Sequence, residues 1–287
     1  MDYFKLNNGI EIPQLGLGVF LANGTDAKEA VKAALKCGYR HIDTAKAYDN
    51  EDQVGEAIKE SGVPREEIFL VTKMWLDDIY NEEFDEALNA SLKKLQTDYL
   101  DMYLLHWTVN KEKNAKAWKA MERFAKEGKC RAIGVCNYME QDLDNLLETA
   151  EILPAVNQIE IHPDFTQARI MAYNASKNIA TESWSPLGGE GTVVEMLKNP
   201  VLVELAEKYH KAPSQVILRW HLQRNCIVIP KSIHENRIKE NFDVFDFVLS
   251  DEDMAKISGL NIGKRVGPNP YDFWEFWSNT NKETLKK

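Results

Sequence analysis

The sequence predicts an α/β fold, a closed (β/α)8 TIM barrel with an N-terminal β-hairpin and a C-terminal loop over the barrel mouth. Along the 287 residues, short β-branched or apolar runs alternate eight times with longer segments of helical period, the pattern of repeated βα units around a parallel sheet. No Gly-, Ser- or Pro-rich linker divides the chain, so residues 1–287 read as one domain, and roughly 250 residues is a usual size for such a barrel. Gly16-Leu17-Gly18 does not extend to a G-x-G-x-x-G motif opening a helix, which leaves a doubly wound dinucleotide fold as the weaker alternative.

The elements follow in order. Tyr3–Leu6 and Ile10–Ile12 flank Asn8-Gly9, a pair suited to the positive φ angles of a tight hairpin turn. Pro13 ends the hairpin. Strands are expected at Leu15–Gly18, His41–Asp43, Ile68–Thr72, Met102–Leu105, Ala132–Cys136, Val156–Ile159, Ile179–Ser183 and Cys226–Ile229. Helices are expected at Asp26–Cys37, Glu51–Glu60, Phe84–Leu95, Glu112–Glu127, Glu140–Ala150, Ala168–Asn178 and Pro213–Arg224. Gly38 and Gly128 stand where left-handed C-caps are wanted, and Ser250 with Asp253 signals the N-cap of a short late helix. Beyond it, Gly263, Gly267, Pro268 and Pro270 predict an irregular tail.

Composition excludes several functions. There are 35 basic and 45 acidic residues, a net charge of −10, which argues against duplex nucleic acid and anionic membrane surfaces as partners. No run reaches the ~18 apolar residues of a membrane span, and the first residues lack a signal-peptide core, so a cytoplasmic location is expected. Cys37, Cys130, Cys136 and Cys226 show no metal-finger spacing; reduced thiols and no metal site are expected.

In such barrels chemistry sits at the C-terminal ends of the strands. Asp43 ends the second strand, Tyr48 follows it, Lys73 ends the third, His106 the fourth, and Asn137 follows the fifth. A lysine closing the doubly buried run IFLVT needs a counter-charge, and Asp43 is the available one. A tyrosine beside that ammonium would have its phenolate favoured, and His106 could donate to a substrate oxygen. Together they form an electrophilic site for a carbonyl. A metal-dependent hydrolase on His41, Asp43, His106 and His162 is an alternative that lacks the paired histidines such sites begin with.

The ordered segments GYRHIDTAKAYDNE, LVTKMW, LLHW, NQIEIHP, SWSPLG and VIPKS resemble the signatures of the aldo-keto reductase superfamily over nearly the whole chain. KRVGPNPYDF resembles the tail of the 2,5-diketo-gluconic acid reductase and prostaglandin F synthase type members. The resemblance implies NADPH-dependent reduction of aldehydes and ketones by a tetrad falling on Asp43, Tyr48, Lys73 and His106, with Tyr48 as proton donor. It also implies that Asn137 and Gln158 bind the nicotinamide carboxamide and that Trp184 stacks on the ring, with Ser185 and Leu187 of the same motif along the cofactor. Lys231, Ser232 and Arg237 would hold the 2′-phosphate, with Glu240 and Asn241 near the adenine. The chain has Cys136 where serine is usual, Trp184 where tyrosine is frequent, and Thr108 in place of the proline of HWP.

Phe20, Trp75, Trp107 and the tail aromatics Tyr271, Phe273, Trp274, Phe276 and Trp277 are expected to line an apolar substrate pocket. A small-molecule carbonyl is the expected partner, and a monomer is the family's commoner habit. The alternative function within the same resemblance is an NADPH-binding redox-sensing subunit with slow turnover.

Overall fold

The computed structural model describes residues 1–286. Gly9, at φ 86°, turns the antiparallel hairpin of β1 (Tyr3–Lys5) and β2 (Glu11–Pro13), in which Tyr3 faces Pro13. The hairpin drives Leu6 and Ile12 into one cluster with Phe69, Val71, Met102, Leu104 and Val156, which plugs the N-terminal end of a barrel. The barrel strands are β3 (Leu17–Gly18), β4 (His41–Asp43), β5 (Phe69–Met74), β6 (Leu100–Leu105), β7 (Cys130–Cys136), β8 (Val156–Glu160), β9 (Ala180–Trp184) and β10 (Ile227–Val228). They lie parallel and in chain order in one eight-stranded sheet.

The two ends of that sheet meet. Gly16 N donates to Val228 O at 2.9 Å, Val228 N to Gln14 O at 2.9 Å and Gly18 N to Pro230 O at 3.2 Å. The two glycines make that closure possible: a Cβ at Gly16 would strike the His41 ring and one at Gly18 the Ile229 carbonyl. The early Gly-Leu-Gly is thus a seam in the barrel wall.

Strand alternation then sorts the side chains. Ile42, Leu70, Met74, Tyr103, Leu105, Ile133 and Val135 face outward and pack with the helices. The opposite parity faces inward, apolar near the hairpin and polar toward the C-terminal ends: Asp43, Lys73, Cys136, Gln158, Glu160 and Glu182 are all buried.

The expected helices form with ends shifted by a few residues at most, and the caps behave as read. Gly38 adopts φ 106° and Gly128 φ 76°, and Ser250 Oγ accepts from Asp253 N at 3.2 Å. Helices at Leu76–Asn81, Val193–Leu197 and Pro200–Tyr209 were not anticipated. The last has a readable start, since Asn199 Oδ1 accepts from Val201 N at 3.0 Å ahead of Pro200. The tail differs as well: residues 261–270 are irregular as expected, but Phe273–Thr280 is a helix, because Phe273, Trp274 and Trp277 recur at helical spacing and share one half-buried side packed on the core. Among the described residues no helix is long and apolar enough to cross a membrane.

Candidate active site

Asp43 is the last residue of β4 and Lys73 the penultimate residue of β5, with both side chains inward. Lys73 Nζ donates to Asp43 Oδ1 at 2.6 Å and to the Thr44 carbonyl at 2.8 Å, and neither side chain is more than 2% exposed. Burial is the largest single effect and opposes the ammonium, but the Asp43 carboxylate, together with the neighbouring Tyr48 and Cys136 groups, outweighs it and keeps Lys73 protonated, above its ordinary range. Tyr48 rides on a short 3₁₀ turn, Lys46–Tyr48. Asn50 anchors that loop: its Nδ2 donates to Val19 O at 3.0 Å and Ala22 O at 2.9 Å, and its Oδ1 accepts from Thr44 Oγ1 at 2.7 Å.

Lys73 Nζ lies 5.0 Å from the Tyr48 ring centre. Its field favours the phenolate as the sequence suggests, but burial is the larger effect, and the phenol is pushed up to about 12. The net shift is therefore opposite to the expected lowering: a phenolate buried here loses more hydration than one ammonium returns. His106 follows β6, its ring 5.6 Å from Tyr48 and 4.9 Å from Trp75, edge-on to both. Burial, reinforced by Lys73, holds its pKa well below the ordinary range. His106 is neutral, and its Nδ1 has no protein partner.

Three residues of the expected cofactor set converge beside the tetrad. Asn137, in the left-handed region at φ 61°, donates to the His106 carbonyl at 3.1 Å and accepts from Trp184 Nε1 at 2.9 Å. Gln158 Nε2 donates to Asp43 Oδ2 and Glu182 Oε2, both at 2.9 Å. The Cys136 thiol reaches Gln158 Oε1 only at 3.9 Å, a weak bond that leaves this acceptor free for a better donor. Ser185 turns the chain at φ 49°, and Leu187 packs on the outer core.

The basic residues lie farther along the rim. Lys231 and Arg237 are exposed beside the start of the helix Glu235–Phe242, and Ser232 Oγ accepts from His234 N at 3.1 Å. Asn241 is buried in that helix, whereas the Glu240 carboxylate accepts from Ser214 Oγ at 3.0 Å. Such exposed cations at a helix N-terminus suit a phosphate.

Two buried acids escaped the sequence reading. Glu160, the last residue of β8, accepts from Val266 N at 2.6 Å, Gly267 N at 3.1 Å, Arg265 Nη1 at 3.4 Å and His162 Nε2 at 3.0 Å. It ties the tail to the barrel, and Arg265 lies 4.6 Å over the Phe165 ring. Gly267 is required there, because any side chain would run into the Trp184 ring. Glu182 points inward from β9 two residues before its end, level with Gln158 of β8. The available signal was a charged residue of inward parity in a strand that is otherwise buried.

Beyond that tie the tail helix covers the barrel mouth. Phe273 meets Trp107 at 4.2 Å and Trp75 at 6.3 Å, Trp277 meets Trp75 at 6.0 Å, and Trp274 stacks on Tyr80 at 5.3 Å. Tyr271 and Phe276 point to solvent, 70% and 66% exposed, so the cover uses three of the five tail aromatics. Phe20 stands at the opposite rim, half exposed, 5.1 Å from Tyr48. Truncation after Pro270 keeps the Glu160 tie and removes the helix. It is expected to lower kcat/KM for a bulky aromatic carbonyl about tenfold and to spare a two-carbon aldehyde, in line with the ~1–3 kcal/mol that pocket contacts contribute. An unchanged ratio between the two substrates in a folded truncate excludes the cover from specificity.

Comparison with known proteins identifies the family. The model of the aldo/keto reductase family matches residues 14–262. The chain belongs to the aldo/keto reductase family. It is 53% identical over 270 residues to glyoxal reductase of Bacillus subtilis (strain 168), covering 94% of this chain and 96% of that protein. It is 47% identical over 272 residues to methylglyoxal reductase DkgA of Escherichia coli (strain K12), covering 94% and 97%. Among solved structures, MGS-M4, an aldo-keto reductase enzyme from a Medee basin deep-sea metagenome library, superposes with a TM-score of 0.90 at 45% identity, over 92% of this chain and 97% of that one. This aldo/keto reductase is an oxidoreductase of carbonyl compounds that uses a nicotinamide cofactor.

Proposed function

We propose that this aldo/keto reductase uses NADPH to reduce aldehydes and ketones, small 1,2-dicarbonyls among them, with Tyr48 as the proton donor. The observation that carries the reading is the convergence of a buried Lys73–Asp43 pair, the Tyr48 phenol and a neutral His106 at the C-terminal end of the barrel. The names of the glyoxal and methylglyoxal reductase relatives support the substrate class.

The residues fit a nicotinamide cofactor. Gln158 Oε1 has only a thiol for a partner and Asn137 is fixed beside it, so both can bind a carboxamide. Trp184 offers an indole face, and Lys231, Ser232 and Arg237 offer charge and a hydroxyl for a 2′-phosphate. When bound, NADPH supplies hydride to the carbonyl carbon. The chain's part is to handle charge on the carbonyl oxygen. His106, neutral, can donate one hydrogen bond to it and fix its direction. Tyr48 Oη moves its proton to that oxygen, and Lys73 stabilises the phenolate that remains. Asp43 keeps Lys73 in position, and the aromatic cover excludes water, which strengthens each of these interactions.

Loss of nicotinamide absorbance with glyoxal, methylglyoxal, phenylglyoxal and benzaldehyde tests the reaction. NADPH-dependent turnover is expected, and its absence across the panel overturns the reading. Arg237→Ala and Lys231→Ala are each expected to weaken NADPH binding roughly 10–150-fold, the worth of one charged hydrogen bond, and to leave NADH binding almost unchanged. Fluorescence titration with both cofactors measures this, and equal losses would move these residues away from the 2′-phosphate.

A further inference from the structure

Beneath the tetrad lies an acid that the reaction outlined above does not use. Glu182 projects from β9 into the barrel interior with no exposed surface. Every neighbouring strand presents a polar or titratable group toward this region: His41 and Asp43 from β4, Lys73 from β5, Cys136 from β7, Gln158 from β8, and Cys226 beside β10. The one cation among them, Lys73, is already committed to Asp43 and the Thr44 carbonyl. Glu182 Oε2 accepts from Gln158, whereas Oε1 faces His41 Nε2 at 3.5 Å, and both of those atoms lack a partner.

The histidine decides what can fill that gap. His41 Nδ1 lies 3.2 Å from the Pro13 carbonyl, which can only accept, so the ring proton is on Nδ1. Full burial holds the imidazole down to about 3, so Nε2 is a bare acceptor. Two acceptors facing each other without a proton would leave both unsatisfied at a cost.

We propose that Glu182 is a neutral carboxylic acid that donates from Oε1 to His41 Nε2, and thereby serves as a positioning residue for Gln158 and Asp43. The inference rests on the assignment of Asp43, Lys73 and Tyr48 to the reaction. With that proton in place the chain of bonds is complete: Glu182 gives one to His41, and Gln158 spends its two amide hydrogens on Glu182 and Asp43. Gln158 Oε1 is then held toward the cofactor side. Burial first, and then the charge of Asp43, raise Glu182 to about 8, so the protonated form predominates near neutral pH.

The charge balance has a consequence for Tyr48. With Glu182 neutral, the interior holds one ammonium and one carboxylate. Ionisation of Glu182 adds a second negative charge, raises the Tyr48 phenol further and makes it a weaker acid, so carbonyl reduction slows as pH rises through about 8.

Infrared difference spectra of the full-length protein, without substrate, test the protonation state. The carbonyl stretch of a protonated carboxyl is expected near neutral pH, shifted by ¹³C-glutamate labelling, absent in Glu182→Gln, and lost from the wild type as pH rises through about 8. In single-turnover reduction, Glu182→Leu is expected to be about tenfold slower near neutral pH, the worth of one lost hydrogen bond in the chain. Glu182→Gln should restore that rate and lose the alkaline break. Absence of the labelled band in the wild type means an ionised Glu182 beside a charged His41 and overturns the proposal, whatever the variants do. An unchanged break in Glu182→Gln overturns the link to Tyr48. Because the band is read without turnover, it stands or falls independently of the role given to Tyr48.

Discussion

Tyr48→Phe is expected to lower the rate of carbonyl reduction roughly 10²–10⁴-fold, the range for loss of a general acid, with NADPH affinity nearly unchanged. The phenylalanine keeps the ring that packs against Phe20 and His106 and removes only the hydroxyl. No other group can take its place: burial and Lys73 keep His106 neutral, and Lys73 is locked on Asp43. Because burial pushes the phenol up to about 12, the wild type holds its proton at neutral pH and releases it only as charge grows on the carbonyl oxygen. Single-turnover kinetics with NADPH in excess measure the effect. A variant that keeps more than about a tenth of the wild-type rate removes Tyr48 from proton transfer.

Lys73→Met has the second large effect, on both activity and stability. Losing the ammonium leaves Asp43 buried with only the Gln158 amide on its carboxylate, and breaking a buried pair in this way costs about 3–5 kcal/mol. Asp43 already sits above the ordinary carboxylate range, because burial outweighs Lys73, and without Lys73 it rises further. A carboxyl with a raised folded-state pKa makes the native protein bind more protons than the unfolded chain, so stability falls as pH rises through that pKa. The variant is therefore expected to recover stability on acidification. Adding Asp43→Asn should restore most of the stability at neutral pH without restoring activity, since the phenolate of Tyr48 would still lack its counter-charge. Urea unfolding at several pH values, with kcat measured on the same samples, separates the two effects. A double variant no more stable than the single one at neutral pH would show that the lost stability has another source.

The local pattern of the chain was enough to predict the barrel and to bring Asp43, Tyr48, Lys73 and His106 to one rim. Strand alternation and helical period depend on neighbours a few residues apart, and a barrel places its chemistry at strand ends. A polar residue closing an apolar run therefore already identified Asp43, Lys73 and His106 as residues of one rim. Turn and cap chemistry was legible for the same reason at Asn8-Gly9, Gly38, Gly128 and Ser250, where the deciding contact lies within one turn of chain.

What escaped depends on contacts between residues far apart in the chain. Glu160 looks like part of a strand until Arg265, Val266 and Gly267, more than a hundred residues later, bring their donors to it. Glu182 acquires its meaning only when barrel closure sets it against His41 and Gln158. Gly16 and Gly18 prove to be the seam where the first and last strands meet. The sign of the shift at Tyr48 belongs to the same class. A sequence can place an ammonium near a phenol, but desolvation depends on how many atoms from every element surround the ring, and that sum exists only in the closed barrel. The sequence by itself determined the order of strands and helices and which polar residues stand near the strand ends on one rim. The tertiary structure alone decided their charge states and the anchoring of the tail, because burial and buried hydrogen bonds are properties of the whole packed chain.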